Sequence, residues 1–169
     1  IEPEQNYLLV FNSNALHPPY QDRSSRINFI DQSLSRLEKA DYLVDQTINK
    51  IFNYISRRGE LDKTVFILSS DHARGGKNQQ GTPRAYSFLD STLNIPMLVR
   101  VPKSFIKKRP DMISALRENC TKNIANYDIV PSLIHLMGSE QKSDNKQIIS
   151  QLIGQSFFRN IDNNRFIIS

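Results

Sequence analysis

The sequence predicts an α/β fold, a mainly parallel sheet flanked by helices, and three observations carry that reading. Short apolar runs rich in β-branched and aromatic residues recur at Tyr7–Phe11, Thr64–Leu68 and Ile95–Val101, the pattern of strands buried on both faces. Between the first two runs, apolar residues fall alternately three and four positions apart, the period of an amphipathic helix. At the carboxyl end of the middle run stand Ser69, Ser70, Asp71 and His72, where open α/β sheets bind their ligands.

Tyr7-Leu8-Leu9-Val10-Phe11 is the expected first strand, closed by the polar Asn12-Ser13-Asn14. In ALHPPYQDRSS, residues 15–25, the paired prolines exclude helix and hold the backbone extended. His17 therefore sits in a stiff loop just past a strand end. From Arg26 to Arg58 the stripe Ile27, Ile30, Leu34, Leu37, Val44, Ile48, Ile51 and Ile55 predicts a helix, with Asp41 in the one missing place. Ser24 or Ser25 would cap its start and Gly59 its end. A straight helix of that span is about 50 Å long, so a break near Lys39–Asp41 is one option, and a coiled coil is the alternative for the stretch. The helix is expected to cover one face of the sheet.

The central strand, near 64–70, leads to a long polar connection, residues 73–94, in which Arg74, Lys77 and Arg84 place positive charge beside Asp71 and His72. Connections of that length are uncommon unless functional or disordered. A carboxylate and an imidazole at a strand end, followed by Gly75-Gly76, suit a metal or anion site. The competing reading makes Asp71 a turn cap and His72 a solvated loop residue. Residues 95–101 are the third strand, with Pro96 and Pro102 at its ends, where strands tolerate proline. KSFIKKR, 103–109, reads as a solvated loop rather than a nucleic-acid site. Pro110 opens a helix to about Cys120, and a second covers Tyr127–Met137, with Asp128 near its start and Gly138 after it. Within it His135 reads as a packed helix residue. Residues 139–147 are expected as a polar loop, 148–153 as a helical turn and 165–168 as an edge strand.

A chain of 169 residues has the size of one domain, and the expected organisation is a single unit over 1–169. No run approaches the ~18 apolar residues of a membrane-spanning helix. The opening IEPEQNYLLVF lacks an initiator methionine, so the chain is expected to be a piece of a longer protein. A net charge of +5 favours acidic substrates or surfaces. One cysteine, Cys120, excludes an intrachain disulfide and a cysteine-rich zinc site.

DYLVDQTINKIFNYISRRGELDKTVFILSSDH (41–72), NIPMLVRVP (94–102), NYDIVPSLIHLMG (126–138) and GQSFFRNI (154–161) occur in that order. Together they resemble the C-terminal half of a sulfatase-type domain of the alkaline-phosphatase-like superfamily. HPPY, 17–20, is similar to a His-x-Pro-Tyr loop in relatives acting on anionic substrates. The resemblance implies a hydrolase or transferase of sulfate or phosphate esters that uses one divalent ion, calcium first, with manganese or zinc as alternatives. By position, Asp71 and His72 would be metal ligands and His17 would contact the ester or its leaving group. Lys77 or Arg84 would contact anionic oxygens, and no motif fixes which. The nucleophile and the first metal carboxylates precede Tyr7 in the family, so the upstream half of the same protein is the expected partner and the fragment alone is expected to be inactive. An extracytoplasmic, lysosomal or membrane-attached setting is implied by the resemblance only.

Ala73 stands where the family has Gly, Arg74 where the phospho-transferases often have an acid, and no second histidine follows in the loop. These departures favour a rival reading, a degenerate, non-catalytic domain that binds polyanions or a protein partner. A helical interaction module built on 27–55 is a third, and it leaves the strands without a role. The enzyme reading further expects the strands near 7–12, 64–70 and 95–101 to be parallel neighbours, with His17, Asp71 and His72 meeting in one cleft.

Overall fold

The computed structural model describes residues 6–17, 33–73, 94–139, 143–162 and 165. It divides into two compact units, Ile1–Leu61 and Asp62–Ser169. None of the described helices is long and apolar enough to cross a membrane.

The first unit is built on α1, Arg36–Arg57. Its start is a capping box: the Glu38 N–H donates to Ser35 Oγ at 3.3 Å, and the Ser35 N–H donates to Glu38 Oε2 at 2.8 Å. Residues 33–35 lie outside the helix. It therefore begins ten positions after Arg26, where the apolar stripe alone had put it, because the S-x-x-E pattern supplies a start that periodicity does not show. Ser24, Ser25 and the stripe before Ser33 fall outside the described residues. The helix passes through Lys39–Asp41 unbroken. It ends as expected at Gly59, φ +69°, where the Gly59 N–H reaches Ser56 O and the Glu60 N–H reaches Ile55 O. That pair of bonds is a Schellman motif. Ala40 and Ile55 are buried, whereas Ile48 is 37% exposed.

Tyr7–Phe11, expected as a strand, is irregular and exposed throughout. A strand exists through its ladder partner, and no described segment pairs with this one. The Tyr7 hydroxyl donates to Glu60 Oε2 at 3.3 Å.

In the second unit, β1 (Phe66–Ser69) and β2 (Met97–Arg100) pair antiparallel, with Ile67 opposite Val99 and Leu68 opposite Leu98. This corrects the expectation of a parallel pair. A parallel pair needs a crossover, usually a helix, and the polar stretch between these strands carries no helical period. No parallel sheet occurs among the described residues. Burial on both faces is corrected too. Ile67 and Val99 pack on the core, while Leu68 and Leu98 on the other face are 41% and 61% exposed. Period-two alternation separates the two sets.

After β2 come α2 (Lys103–Lys108), α3 (Pro110–Asn119), α4 (Ile129–Leu136) and α5 (Ser143–Gln151). Residues 103–109 were expected as a loop. Residues 103–108 instead form a short helix, anchored by the half-buried Phe105, whose ring lies edge-on to Phe158 with centroids 6.1 Å apart. The helix α5 takes in part of the expected 139–147 loop. Met112, Phe157, Phe158 and Ile161 form the core, with Phe105, Leu116, Ile129 and Leu136 packed around them. Three of the four come from an irregular segment, which polar side chains hold. Asn119, fully buried, donates to Phe157 O and Arg159 O and accepts from the Ile161 N–H. Ser132 Oγ accepts from the Phe157 N–H and donates to Asp128 O. Arg165 is not in a strand; residues 166–168 of the expected edge strand are outside the described set.

Candidate functional site

The Ser70–His72 loop leaves β1 directly, so its position is set by the ladder and by what holds it at the exit. Two bonds order it from within. The His72 N–H donates to Asp71 Oδ1 at 3.0 Å, and Ser70 Oγ donates to the His72 carbonyl at 2.8 Å. The His72 N–H, more than any other group, holds the Asp71 carboxyl below its ordinary range; burial works against this slightly, and the His72 ring adds to it. The carboxylate therefore stays charged and available as a hard oxygen ligand.

His72 Nδ1 lies 2.9 Å from the Ala73 carbonyl, which can only accept, so Nδ1 carries the proton of this contact. In the neutral ring that leaves the lone pair on Nε2, the atom 3.8 Å from Asp71 Oδ2. Both side chains are open to solvent, Asp71 at 87% and His72 at 67%. Two donor atoms so spaced can share one ion at about 2.0–2.5 Å each. The donor set fits a divalent cation as a partial site of one carboxylate and one imidazole. No cluster of three or more acidic, histidine or cysteine ligands occurs among the described residues.

His17, the third expected member, lies in the first unit in an exposed turn, its N–H on Asn14 O at 3.0 Å. Lys77 and Arg84 fall outside the described residues, as do Pro18-Pro19. His135, half-buried, shares a hydrogen bond of 3.0 Å with Ser156 Oγ and is a packed helix residue as expected.

Two residues matter more than the sequence made plain. Asp128, expected only near a helix start, is fully buried and accepts from the Ala125 and Gln155 N–H groups and from Arg165 Nη2 at 2.6 Å. Asn126, unremarked in the sequence, bonds Ser69, Ser70 and Asp71. The signal that could have marked it is its place at the head of the segment NYDIVPSLIHLMG, two positions before Asp128.

A family model described as "Protein of unknown function (DUF229)" matches residues 4–167. The chain is 27% identical over 109 residues to an N-acetylglucosamine-6-O-sulfatase of Bacteroides thetaiotaomicron, a match covering 62% of this chain and 18% of that protein. The chain thus spans about a fifth of that relative's length. No solved structure matches it.

Proposed function

Because the chain belongs to the DUF229 family, a sulfatase-like family, we propose that it is part of a metal-dependent hydrolase of sulfate esters, with phosphate esters as the alternative substrate. The observation that carries this reading is the Asp71–His72 pair, exposed at the end of β1 with Oδ2 and Nε2 3.8 Å apart. A sulfate ester is anionic, and a bound divalent ion, calcium in the first instance and manganese or zinc otherwise, would neutralise charge on its oxygens. Asp71 supplies a carboxylate that remains ionised, and His72 keeps Nε2 available by spending Nδ1–H on Ala73 O. Lys77 or Arg84 is proposed to neutralise further ester oxygens, and His17 to contact the ester or its leaving group. The nucleophile is assigned to the upstream half of the same protein. The sulfatase-type domain is proposed to extend over the whole chain as its C-terminal part, completed by that half.

The second reading, a non-catalytic polyanion-binding domain, draws on Ala73 and Arg74, which replace the glycine and the acid of the family pattern. Turnover separates the two. The protein carrying the complete sulfatase-like domain is assayed on aryl sulfate and aryl phosphate esters, stripped with chelator and reloaded with calcium, manganese or zinc. The enzyme reading expects chelator-sensitive turnover that one metal restores and that Asp71→Ala abolishes with the melting curve unchanged. Full activity in Asp71→Ala would overturn it.

A further inference from the structure

Asn126 opens the one-turn 3-10 helix Asn126–Asp128 that leads into α4, more than fifty residues along the chain from β1. Its amide spans the exit of that strand. Ser69 Oγ donates to Asn126 Oδ1 at 3.1 Å, and Asn126 Nδ2 donates to the carbonyls of Ser70 at 2.8 Å and Asp71 at 3.1 Å. The two carbonyls settle which way the amide faces, since they only accept and must meet Nδ2, which leaves Oδ1 to accept from the Ser69 hydroxyl. Asn126 stands next to an anchored stretch of backbone. The next residue but one, Asp128, is buried and bonded to the Ala125 N–H, the Gln155 N–H and Arg165.

We propose that Asn126 is the positioning residue of the Asp71–His72 pair: it clamps the backbone of Ser70 and Asp71 so that the carboxylate and the imidazole face one another. The pair is otherwise solvent-exposed and lies in a loop without ladder bonds, so two adjacent side chains would sample many relative orientations. Fixing two successive carbonyls removes the backbone part of that freedom. Groups that orient metal ligands in this way typically contribute about 10–100-fold to metal affinity. The inference rests on the proposed metal role of Asp71 and His72, and its backbone part can be read without metal.

The test uses the 15N-labelled chain, with Asn126→Ala and Ser69→Ala as variants. Two quantities are measured well below the melting temperature: the manganese dissociation constant, from paramagnetic broadening of the Asp71 and His72 amides, and hydrogen exchange of the His72 amide without metal. Asn126→Ala is expected to weaken manganese binding about tenfold and to speed His72 exchange. Ser69→Ala, which leaves both carbonyl bonds able to form, should do both to a smaller extent. A merely structural role would lower the melting temperature and leave both readouts unchanged, and that result in folded Asn126→Ala overturns the proposal. If that variant does not fold, Ser69→Ala carries the test, and unchanged exchange and affinity there overturn it. Should the wild-type chain bind no manganese, the metal reading fails, and faster His72 exchange in the variant still supports the clamp while unchanged exchange overturns it.

Discussion

Asp128 and Arg165 show how much single side chains decide in the second unit. Both are buried, the carboxylate fully and the guanidinium side chain to 7% exposure, and Arg165 also stacks over the Tyr127 ring at 5.2 Å. Arg165 Nη1 is buried and finds no partner among the described residues. Removing one member of a buried pair leaves the other uncompensated, so Asp128→Ala should cost about 3–5 kcal/mol, measured by urea denaturation. Gly154 lies close to the same turn. A Cβ there would sit 2.0 Å from the Tyr127 carbonyl oxygen, against backbone that cannot give way cheaply. Gly154→Ala should cost at least about 2 kcal/mol, and unaltered stability would mean that the two segments are not in contact. At Asp71 the sign of the pH effect follows from its lowered carboxyl. Its contribution to stability is complete above the unfolded-state pKa and is lost as pH falls through the lower folded value. Because the group is exposed, the effect on stability is small, and the observable is the 13C titration of Asp71, expected below the ordinary aspartate range.

Elements were legible from the sequence where their ends carry chemistry. Pro110 at the first position of α3 and glycine after α1 and α4 marked boundaries that the structure keeps, because fixed φ and positive φ act locally. The start of α1 was legible too, in Ser35 and Glu38, but the longer apolar stripe drew the boundary upstream. Ser35→Ala should cost about 1 kcal/mol, and an undiminished melting temperature would show that the cap does not set the helix start. Burial along the stripe is uneven in a way that spacing does not reveal. Ile55 is buried and Ile48 is not, so Ile55→Asp should destabilise by several kcal/mol, and Ile48→Asp by much less. Phe157 and Phe158 were not recognised as core, since an irregular segment has no period. What buries them is Asn119 and Ser132 bonding its backbone, a long-range fact.

At the scale of the molecule, the apolar runs marked where β1 and β2 lie but not how they pair. Strand direction depends on the connection, and the polar stretch between them, lacking a helical period, agreed with an antiparallel pair. The candidate site was legible as Ser-Asp-His at a strand end; its support was not, because Asn126 reaches it only through the fold. The chain also leaves Tyr7–Phe11, Leu68 and Leu98 exposed. Asp71 and His72 are proposed to hold one divalent ion, and crystals of the protein soaked in manganese and measured at the manganese absorption edge would locate it. An anomalous peak is expected at about 2.0–2.5 Å from both an Asp71 carboxylate oxygen and His72 Nε2, absent in crystals of Asp71→Ala. Well-ordered Asp71 and His72 with no peak between them, or a peak that persists in Asp71→Ala, would contradict it.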